Sequence, residues 1–216
     1  MNARMLVLLS ALTLAAGYSD AVAFFGLGVF TANMTGNTVL LGGALASRFV
    51  PHLPGMLSLK LPSISILCFI AGACLAAFTL RGETGRPPIR TMAIVGLAAA
   101  LLVAAALVFT RDAGARLTPL CVGLLSMVMG LQSVVAVRVG VPGVSTTYVT
   151  GSLITAIVDI LGTPRGAGKP SQGVPNVWTW VLYLAGAVGG TLGLGLLGDR
   201  ALWPAAVVVA LLIPVL

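Results

Sequence analysis

Residues 17–42 read GYSDAVAFFGLGVFTANMTGNTVLLG, and Asp20 is their only charged residue. The stretch belongs to a longer run, residues 5–47, that is otherwise free of charge. As one continuous helix those 43 residues would extend about 64 Å, roughly twice the thickness of the bilayer hydrocarbon. Gly26 and Gly28 supply the backbone freedom for a break. We therefore expect two helical pieces that turn back at these glycines, within or near a membrane.

The composition of the whole chain also indicates a membrane protein. Of its 216 residues, 58% are hydrophobic and 8% are charged, and the mean hydropathy is +1.09. Soluble domains carry roughly 25% charged residues and disordered chains are polar, so both classes are excluded. The formal net charge is +7, but the basic residues lie mostly in short gaps between apolar runs. That distribution is typical of membrane topology signals, so we expect no nucleic acid partner.

The side chains that most enzymes and cofactor sites need are scarce in this sequence. It has one histidine, and Cys68, Cys74 and Cys121 lie within apolar runs, without the spacing of a zinc or redox site. There is no phosphate-binding loop, zinc-protease helix or nucleophile elbow. We therefore expect no enzymatic activity, no cofactor and no metal centre.

Six further runs contain no charged residue: 61–80, 91–110, 117–137, 139–158, 170–198 and 201–216. The first four have the length of a single crossing, about 20 residues. Gly140, Pro142 and Gly143 interrupt the stretch 117–158, so we expect a second break there. Residues 1–17 are similar in composition to a signal peptide, but the apolar pattern continues beyond them, and we expect them to stay in the first helix. The predicted fold class is an all-α, polytopic transmembrane helical bundle with broken or re-entrant helices and six to eight membrane segments.

The motif in the first run recurs in the second half of the chain. VFTANMTGN at 29–37 matches VSTTYVTGS at 144–152, and upstream GYSDAVA at 17–23 matches GLQSVVA at 130–136. The segment between the two matches is slightly longer in the second copy. Similar apolar runs follow both copies, as expected of a tandem duplication. The matched pairs are Asp20 with Ser133, Thr31 with Thr146, Thr35 with Thr150, and Gly36 with Gly151.

The duplication predicts one membrane domain, residues 1–216, with homologous halves 1–112 and 113–216. If each long interrupted run crosses the membrane twice, each half has four spans and the halves are parallel. If each run crosses once through a re-entrant piece, each half has three spans and the halves are inverted. Eight crossings put seven basic residues inside against five outside, and six crossings put six against five, so positive charge does not decide. Both versions place the N- and C-termini in the cytoplasm.

Asp20 is the acidic residue that lies deepest within a long apolar run. A charge there costs about 2.5–3.5 kcal/mol on membrane-insertion scales, so such groups face a bundle interior, find a partner or titrate. Two compatible interpretations follow. Asp20 can bind an ion, a proton or a polar group of a substrate, or it can cap the broken helix by accepting hydrogen bonds from backbone N–H groups.

Both Thr-x-x-x-Thr-Gly motifs follow a predicted break, and half-helix ends at mid-membrane present unpaired backbone groups to a cavity. Many secondary transporters build a substrate site in this way. Packing is the alternative, because small residues let membrane helices approach closely. Gln132, next to the position equivalent to Asp20, is expected to line the same cavity. The residues predicted to bind a substrate or ion are Asp20, Asn33, Thr35, Gly36, Asn37, Gln132, Thr150, Gly151 and Ser152.

Arginine and aromatic residues at the ends of the apolar runs have simpler interpretations. Arg138, near the second break, can pair with Asp20, but extension of its side chain to the membrane surface is the favoured interpretation. The run 170–198 carries Trp178, Trp180 and Tyr183 in its first half, where we expect them to anchor the helix at the membrane–water interface.

Two blocks of the sequence carry family motifs. The first block contains Gly17, Tyr18, Asp20 and Ala21, then Phe30, Ala32, Asn33, Met34, Thr35, Gly36, Asn37 and Thr38. The second block contains Met129, Gly130, Leu131 and Gln132, then Thr146, Thr147, Val149, Thr150 and Gly151. With these blocks the chain resembles the YoaK family of bacterial membrane proteins, domain of unknown function 1275 (DUF1275); it departs from the family at Ser133, where asparagine is usual. The resemblance implies an integral protein of the bacterial cytoplasmic membrane with about six transmembrane segments, and it supplies no established activity.

These observations favour a secondary transporter or permease for a small solute of unknown identity, coupled to a proton or cation through Asp20. The alternative is a non-transporting membrane protein, an assembly partner or a sensor, in which the Thr-Gly motifs are packing seams. The expected partners are the small solute, a proton or cation, the lipid bilayer and further copies of the chain in a homo-oligomer.

Overall fold

The computed structural model of the protein describes residues 3–50, 58–82, 89–111, 116–139, 149–161 and 173–213. Within these ranges all of the regular structure is helical, which confirms the all-α fold class. The helices are α1 Ala3–Leu27, α2 Met34–Ala46, α3 Lys60–Thr79, α4 Ile89–Arg111, α5 Thr118–Val139, α6 Val149–Leu161, α7 Gly173–Leu197 and α8 Trp203–Ala210. A short 3-10 helix, Gly198–Arg200, separates α7 from α8.

Five helices among the described residues are long and apolar enough to cross a bilayer: α1, α3, α4, α5 and α7. The prediction of a polytopic transmembrane bundle is thereby confirmed. α2 and α6 have 13 residues each, or about 20 Å of helix, and α8 is shorter still. The 139–158 run, which has the length of a crossing, therefore contributes only the short helix α6 within the described residues. A count of six to eight segments depends on these three short helices.

The first predicted break is confirmed. α1 ends at Leu27 and α2 begins at Met34, so the helix is interrupted for six residues. Gly28 opens the break with φ of 79°, a left-handed conformation that glycine adopts at little cost. The second predicted break, at residues 140–143, lies between α5 and α6 and outside the described residues.

The two most extensive helix pairs each join the first half of the chain to the second. α1 packs on α7, and α3 packs on α5. Smaller contacts join α2 to α3, α6 to α7, α4 to α5 and α1 to α8. When α1 to α4 are matched in order with α5 to α8, each of these pairs maps onto another pair. The contact pattern is therefore symmetric under this exchange, and the duplication, with its division at residues 112 and 113, stays a prediction.

Glycines let the long helices approach closely, and they do so at matching positions. Gly17 in α1 lies against the backbone of Tyr183 in α7. Gly130 in α5, which the repeat aligns with Gly17, lies against the backbone of Phe69 in α3. A Cβ atom on either glycine would overlap the facing carbonyl oxygen. Tyr183 and Phe69 therefore occupy equivalent places in the two interfaces.

A second pair of glycines makes the reciprocal contacts, because these glycines lie on α7 and α3 and face the backbones of α1 and α5. Gly186 in α7 lies against the backbone of Leu14, and Gly72 in α3 lies against the backbone of Met127. The alignment that matches Gly17 with Gly130 also matches Leu14 with Met127. Close approach of backbones through small residues is a common way to hold membrane helices together, because lipid supplies no hydrophobic driving force between them.

Candidate functional site

Asp20 holds the break between α1 and α2. Its side chain is 3% exposed, and Oδ1 accepts hydrogen bonds from the backbone N–H groups of Thr31 and Ala32, both at 2.6 Å. The Thr31 hydroxyl donates to the same oxygen at 3.1 Å. Three donors on one carboxylate oxygen give Asp20 the backbone-capping role that the sequence left open beside ion binding.

The second carboxylate oxygen of Asp20 reaches the other half of the chain. Tyr183 in α7 donates its hydroxyl to Oδ2 at 2.5 Å. Tyr183 is half-buried, and its contact with Asp20 corrects the interpretation of this residue as an interfacial anchor. The sequence did contain a signal, because Tyr183 lies three residues before Gly186 and thus on the face of α7 that packs on α1. Trp178 and Trp180 are exposed.

Within the described ranges, uncharged donors alone meet the carboxylate of Asp20. No lysine or arginine of these residues lies within ion-pair distance of it, and Arg138 is exposed on α5. Oδ1 has three donors and Oδ2 has one, so the two oxygens differ in their capacity to take a proton or a further ligand. Any additional partner of this carboxylate therefore binds at Oδ2, on the side of α7.

Asn37 holds the break from the side of α2 and α3. Its side chain is fully buried; Oδ1 accepts from the backbone N–H of Phe30 at 2.9 Å, and Nδ2 donates to the Phe30 carbonyl at 2.7 Å. Nδ2 also donates to Ser65 Oγ at 2.8 Å, and Ser65 Oγ lies 2.8 Å from Ser126 Oγ in α5. Asn37 thus links the break to α3 and α5 by a buried polar network. Composition and spacing gave no indication of Ser65 or Ser126 as members.

Asn33 and Gly36 serve the start of α2. Asn33 is the N-cap residue, and its side-chain oxygen accepts from the Gly36 N–H at 3.1 Å. A Cβ atom on Gly36 would overlap the ring of Phe30, so the glycine makes room for the turn of the break. Phe30 in turn stacks on Phe24, with ring centroids 4.4 Å apart. These contacts are local and hold the break in its shape.

The two threonine motifs lie on different helix pairs. Thr35 is exposed on α2, which packs on α3, and Thr150 is exposed on α6, which packs on α7. On α6, Gly151 is half-buried and Ser152 is fully buried. The structure therefore brings Asp20, Asn33, Gly36 and Asn37 together around one break, whereas Thr150, Gly151 and Ser152 lie on α6, which packs on α7.

The second half has no carboxylate at the position of Asp20. Ser133 Oγ donates to the backbone carbonyl of Met129, at 2.6 Å, within its own helix. Its neighbour Gln132 is 1% exposed, and Gln132 Nε2 donates to Met129 Sδ at 2.8 Å. Phe69, which replaces Tyr183, carries no hydroxyl. Among the described residues, a carboxylate thus bridges the halves in the α1–α7 interface, whereas the α3–α5 interface has the hydroxyl pair of Ser65 and Ser126.

A cavity of about 160 Å³ lies beside the break. It begins at Gly28 and is bordered by the ends of α1 and α3 and by α2. Most of its lining side chains are apolar, Ser58 supplies a side-chain hydroxyl, and polar atoms make up a substantial part of the lining surface. The lining residues are Leu27, Gly28, Val29, Leu40, Ser58, Leu61 and Pro62.

Known proteins match most of the chain. Residues 8–215 match the family described as "Protein of unknown function (DUF1275)". The UPF0700 transmembrane protein YoaK of Bacillus subtilis (strain 168) is 36% identical over 160 residues, which cover 72% of this chain and 67% of that protein. No solved structure matches. The five long apolar helices agree with the description of that relative as transmembrane. The chain therefore belongs to the DUF1275 family, as its two motif blocks predicted, and is a membrane protein.

Proposed function

We propose that the protein is a secondary transporter for a small solute, with Asp20 as the residue that takes up and releases a proton. One observation carries the proposal: a buried carboxylate oxygen in a membrane helix bonds across the interface between the two halves, to Tyr183. Ionisable residues inside membranes are rare, and they mark substrate and ion pathways and proton relays. Under this proposal the protein is not an enzyme.

The unequal surroundings of the two oxygens supply a mechanism. A proton on Asp20 Oδ2 turns that oxygen into a donor and a much weaker acceptor, so the hydrogen bond from Tyr183 weakens or reverses. Oδ1 keeps its three donors, and the break between α1 and α2 keeps its shape. Protonation therefore acts on the α1–α7 contact and leaves the broken segment in place. Rocking of one repeat against the other is how many transporters alternate access to a central site.

The solute site in this proposal lies beside the break. The cavity at Gly28 opens next to residues that Asp20 and Asn37 hold, so movement of α1 against α7 carries this wall of the cavity with it as one unit. Its size and its mixed lining favour a small solute that carries both apolar and polar groups. We place the protein in the bacterial cytoplasmic membrane with both termini in the cytoplasm.

Proteoliposomes test the proposal. Purified protein is reconstituted with a trapped pH-sensitive dye, and amino acids, organic acids, amines, sugars and nucleosides are added one at a time to the outside. We expect one class of solute to drive a pH change inside, and we expect Asp20→Asn to abolish that change while the protein stays folded. Asp199→Asn, at an exposed carboxylate, is the matched control and keeps the wild-type response. Equal solute-driven proton movement in the Asp20→Asn protein would refute the role of Asp20.

A non-transporting assembly or sensor protein is the second candidate, and the local bonds of the motif residues favour it. Asn33, Gly36 and Asn37 all serve the shape of the break itself. In that case Asp20→Asn changes oligomeric state or stability, and no solute drives proton movement in the wild type. Size-exclusion chromatography with light scattering on the same two proteins separates this outcome from transport.

A further inference from the structure

Two stripes of fully buried residues run along α1 and α5 at matching positions. Their spacing of three and four residues places each stripe on one helix face, and the repeat aligns the two stripes member by member. α1 and α5 also pack against each other. The α1 stripe is Leu8, Leu12, Ala15, Ala16, Ser19, Val22 and Ala23; the α5 stripe is Cys121, Leu125, Val128, Met129, Gln132, Val135 and Ala136. Ser19 and Gln132 occupy the same position in the two stripes.

Ser19 and Gln132 carry buried oxygen atoms without hydrogen-bond partners. Among the described residues nothing bonds to Ser19 Oγ or to Gln132 Oε1, although the two side chains are 0% and 1% exposed. Thr13, another buried hydroxyl on α1, donates to the carbonyl of Leu9 at 2.7 Å. Buried polar atoms are nearly always paired, so two unpaired oxygens at equivalent central positions indicate a ligand.

The chemistry of the two residues indicates what the ligand is. Gln132 presents its oxygen, because its Nε2 is already used on Met129 Sδ. Asp20, next to Ser19 in the chain, adds a negative charge that no lysine or arginine of the described residues balances at ion-pair distance. Neutral oxygens in a segment that carries an unbalanced carboxylate suit a hard cation, and broken-helix transporters hold sodium with neutral oxygens of the protein. The close-packed apolar neighbours exclude a large ligand.

We infer that Ser19 and Gln132 bind one small monovalent cation, an alkali ion or ammonium, between α1 and α5. Asp20 stabilises the ion by its charge and contributes no direct ligand from Oδ1, which its three donors occupy. The inference deepens the proposed transport function by adding a second coupling ion to the proton that Asp20 carries. Only that role rests on the proposed function, because binding is measured without any flux.

Thermal unfolding in detergent tests the site with four chloride salts at equal ionic strength: sodium, potassium, ammonium and N-methylglucamine. At about ten times the dissociation constant, the preferred cation raises the wild-type midpoint by roughly 3–6 °C over N-methylglucamine. In Ser19→Ala and Gln132→Leu that rise is lost. Their midpoints in N-methylglucamine stay equal to or exceed that of the wild type, because each change removes an unpaired polar atom from the core.

Thr13→Val is the matched control, since it removes a buried hydroxyl of α1 that has a partner; it keeps the cation response. No cation response in the wild type would mean that water alone fills the site, and an equal response in Ser19→Ala and Gln132→Leu would place the ion elsewhere. Either result overturns the inference. Cation binding in a protein that moves no solute in proteoliposomes sustains the site and refutes the transport proposal. Solute transport by a protein that shows no cation response would refute the cation site and sustain the transport proposal.

Discussion

The α1–α7 and α3–α5 interfaces share their backbone packing and differ in their chemistry. In both, a glycine on each helix lies against the backbone of the partner, at positions that match between the two halves. In the first interface Asp20 and Tyr183 form a hydrogen bond across the helices. In the second, the equivalent residues are Ser133 and Phe69, and Ser133 bonds to its own helix.

The difference separates what holds the helices together from what the site can do. Close approach needs only small residues at the contact, and both interfaces have them. A buried carboxylate needs several hydrogen-bond donors. In the described structure, those of Asp20 come from the break between α1 and α2 and from Tyr183. One half thus carries the titratable group, and the other half repeats its scaffold.

The largest expected effect comes from placing a large side chain at the glycines that let the helices of each interface approach closely. Gly186→Leu drives a side chain into the backbone of Leu14, and Gly72→Leu does the same at Met127. Because neither backbone can move away without separating the helices, we expect losses above about 3 kcal/mol and little or no folded protein from both variants. Monodisperse yield in detergent is the measurement. Gly195→Leu, where an added Cβ meets no atom, should express as the wild type does; tolerance of only one of the two clashing variants would show that the interfaces are not equivalent.

The second largest effect is expected from removing the Asp20 carboxylate, which should distinguish the two interfaces. Asp20→Ala leaves the N–H groups of Thr31 and Ala32 without their acceptor in a buried site, so we expect a loss of about 3 kcal/mol. Ser133→Ala should cost less than about 1 kcal/mol, since the Met129 carbonyl keeps its place in the helix. Unfolding midpoints compared with the wild type measure both. Equal effects at the two positions would contradict the asymmetry.

The hydrogen bond from Tyr183 to Asp20 should contribute less to the free energy of unfolding, and its contribution can be measured separately. Tyr183→Phe makes the first interface resemble the second, and a hydrogen bond to a charged group contributes about 1.5–3 kcal/mol. A double-mutant cycle with Asp20→Ala isolates it, because without the carboxylate the hydroxyl loses its acceptor and Tyr183→Phe should then cost close to nothing. Additive losses in the double variant would mean that Tyr183 stabilises the protein by other contacts.

The smallest expected effect lies in the polar network of α3 and α5. Ser126→Ala removes the hydroxyl that meets Ser65, but Ser65 can still donate to the Phe30 carbonyl, at 2.9 Å. We expect a loss of about 0.5–1 kcal/mol, seen as a small shift in the unfolding midpoint. Asn37→Ala, which removes three bonds at the same place, should cost several times more. Similar losses for the two variants would show that Asn37 does not organise the network.

Much of the fold was accessible from the sequence because charge and hydrophobicity determine which segments enter a membrane. Runs without charged residues predicted where the long helices lie, and Gly28 predicted the position of the break. Helix partners were not accessible, since spacing shows which residues share a face and does not show which helix covers it. For that reason Tyr183 was assigned to the membrane surface and the two threonine motifs were expected to meet. Thr35 and Thr150 lie on helices that pack on different partners, α3 and α7, and the site expected to join them stays a prediction.

Asp20 illustrates the limit most clearly. Its isolation within an apolar run predicted a buried, partnered group, and the structure gives it four donors. Three of the four come from residues 31 and 32, whose N–H groups are available only because the chain leaves the helix there. The fourth comes from a residue 163 positions away, which no local pattern could specify.

Infrared difference spectroscopy of the reconstituted protein between alkaline and acidic buffers tests the central claim, that a proton on Asp20 acts on the α1–α7 contact. We predict a carboxylic acid C=O band on acidification that is absent from Asp20→Asn and shifted in frequency in Tyr183→Phe, whose carboxyl group has lost its hydrogen bond at Oδ2. A difference spectrum of Asp20→Asn that matches the wild type, or a band unchanged by Tyr183→Phe, would contradict it.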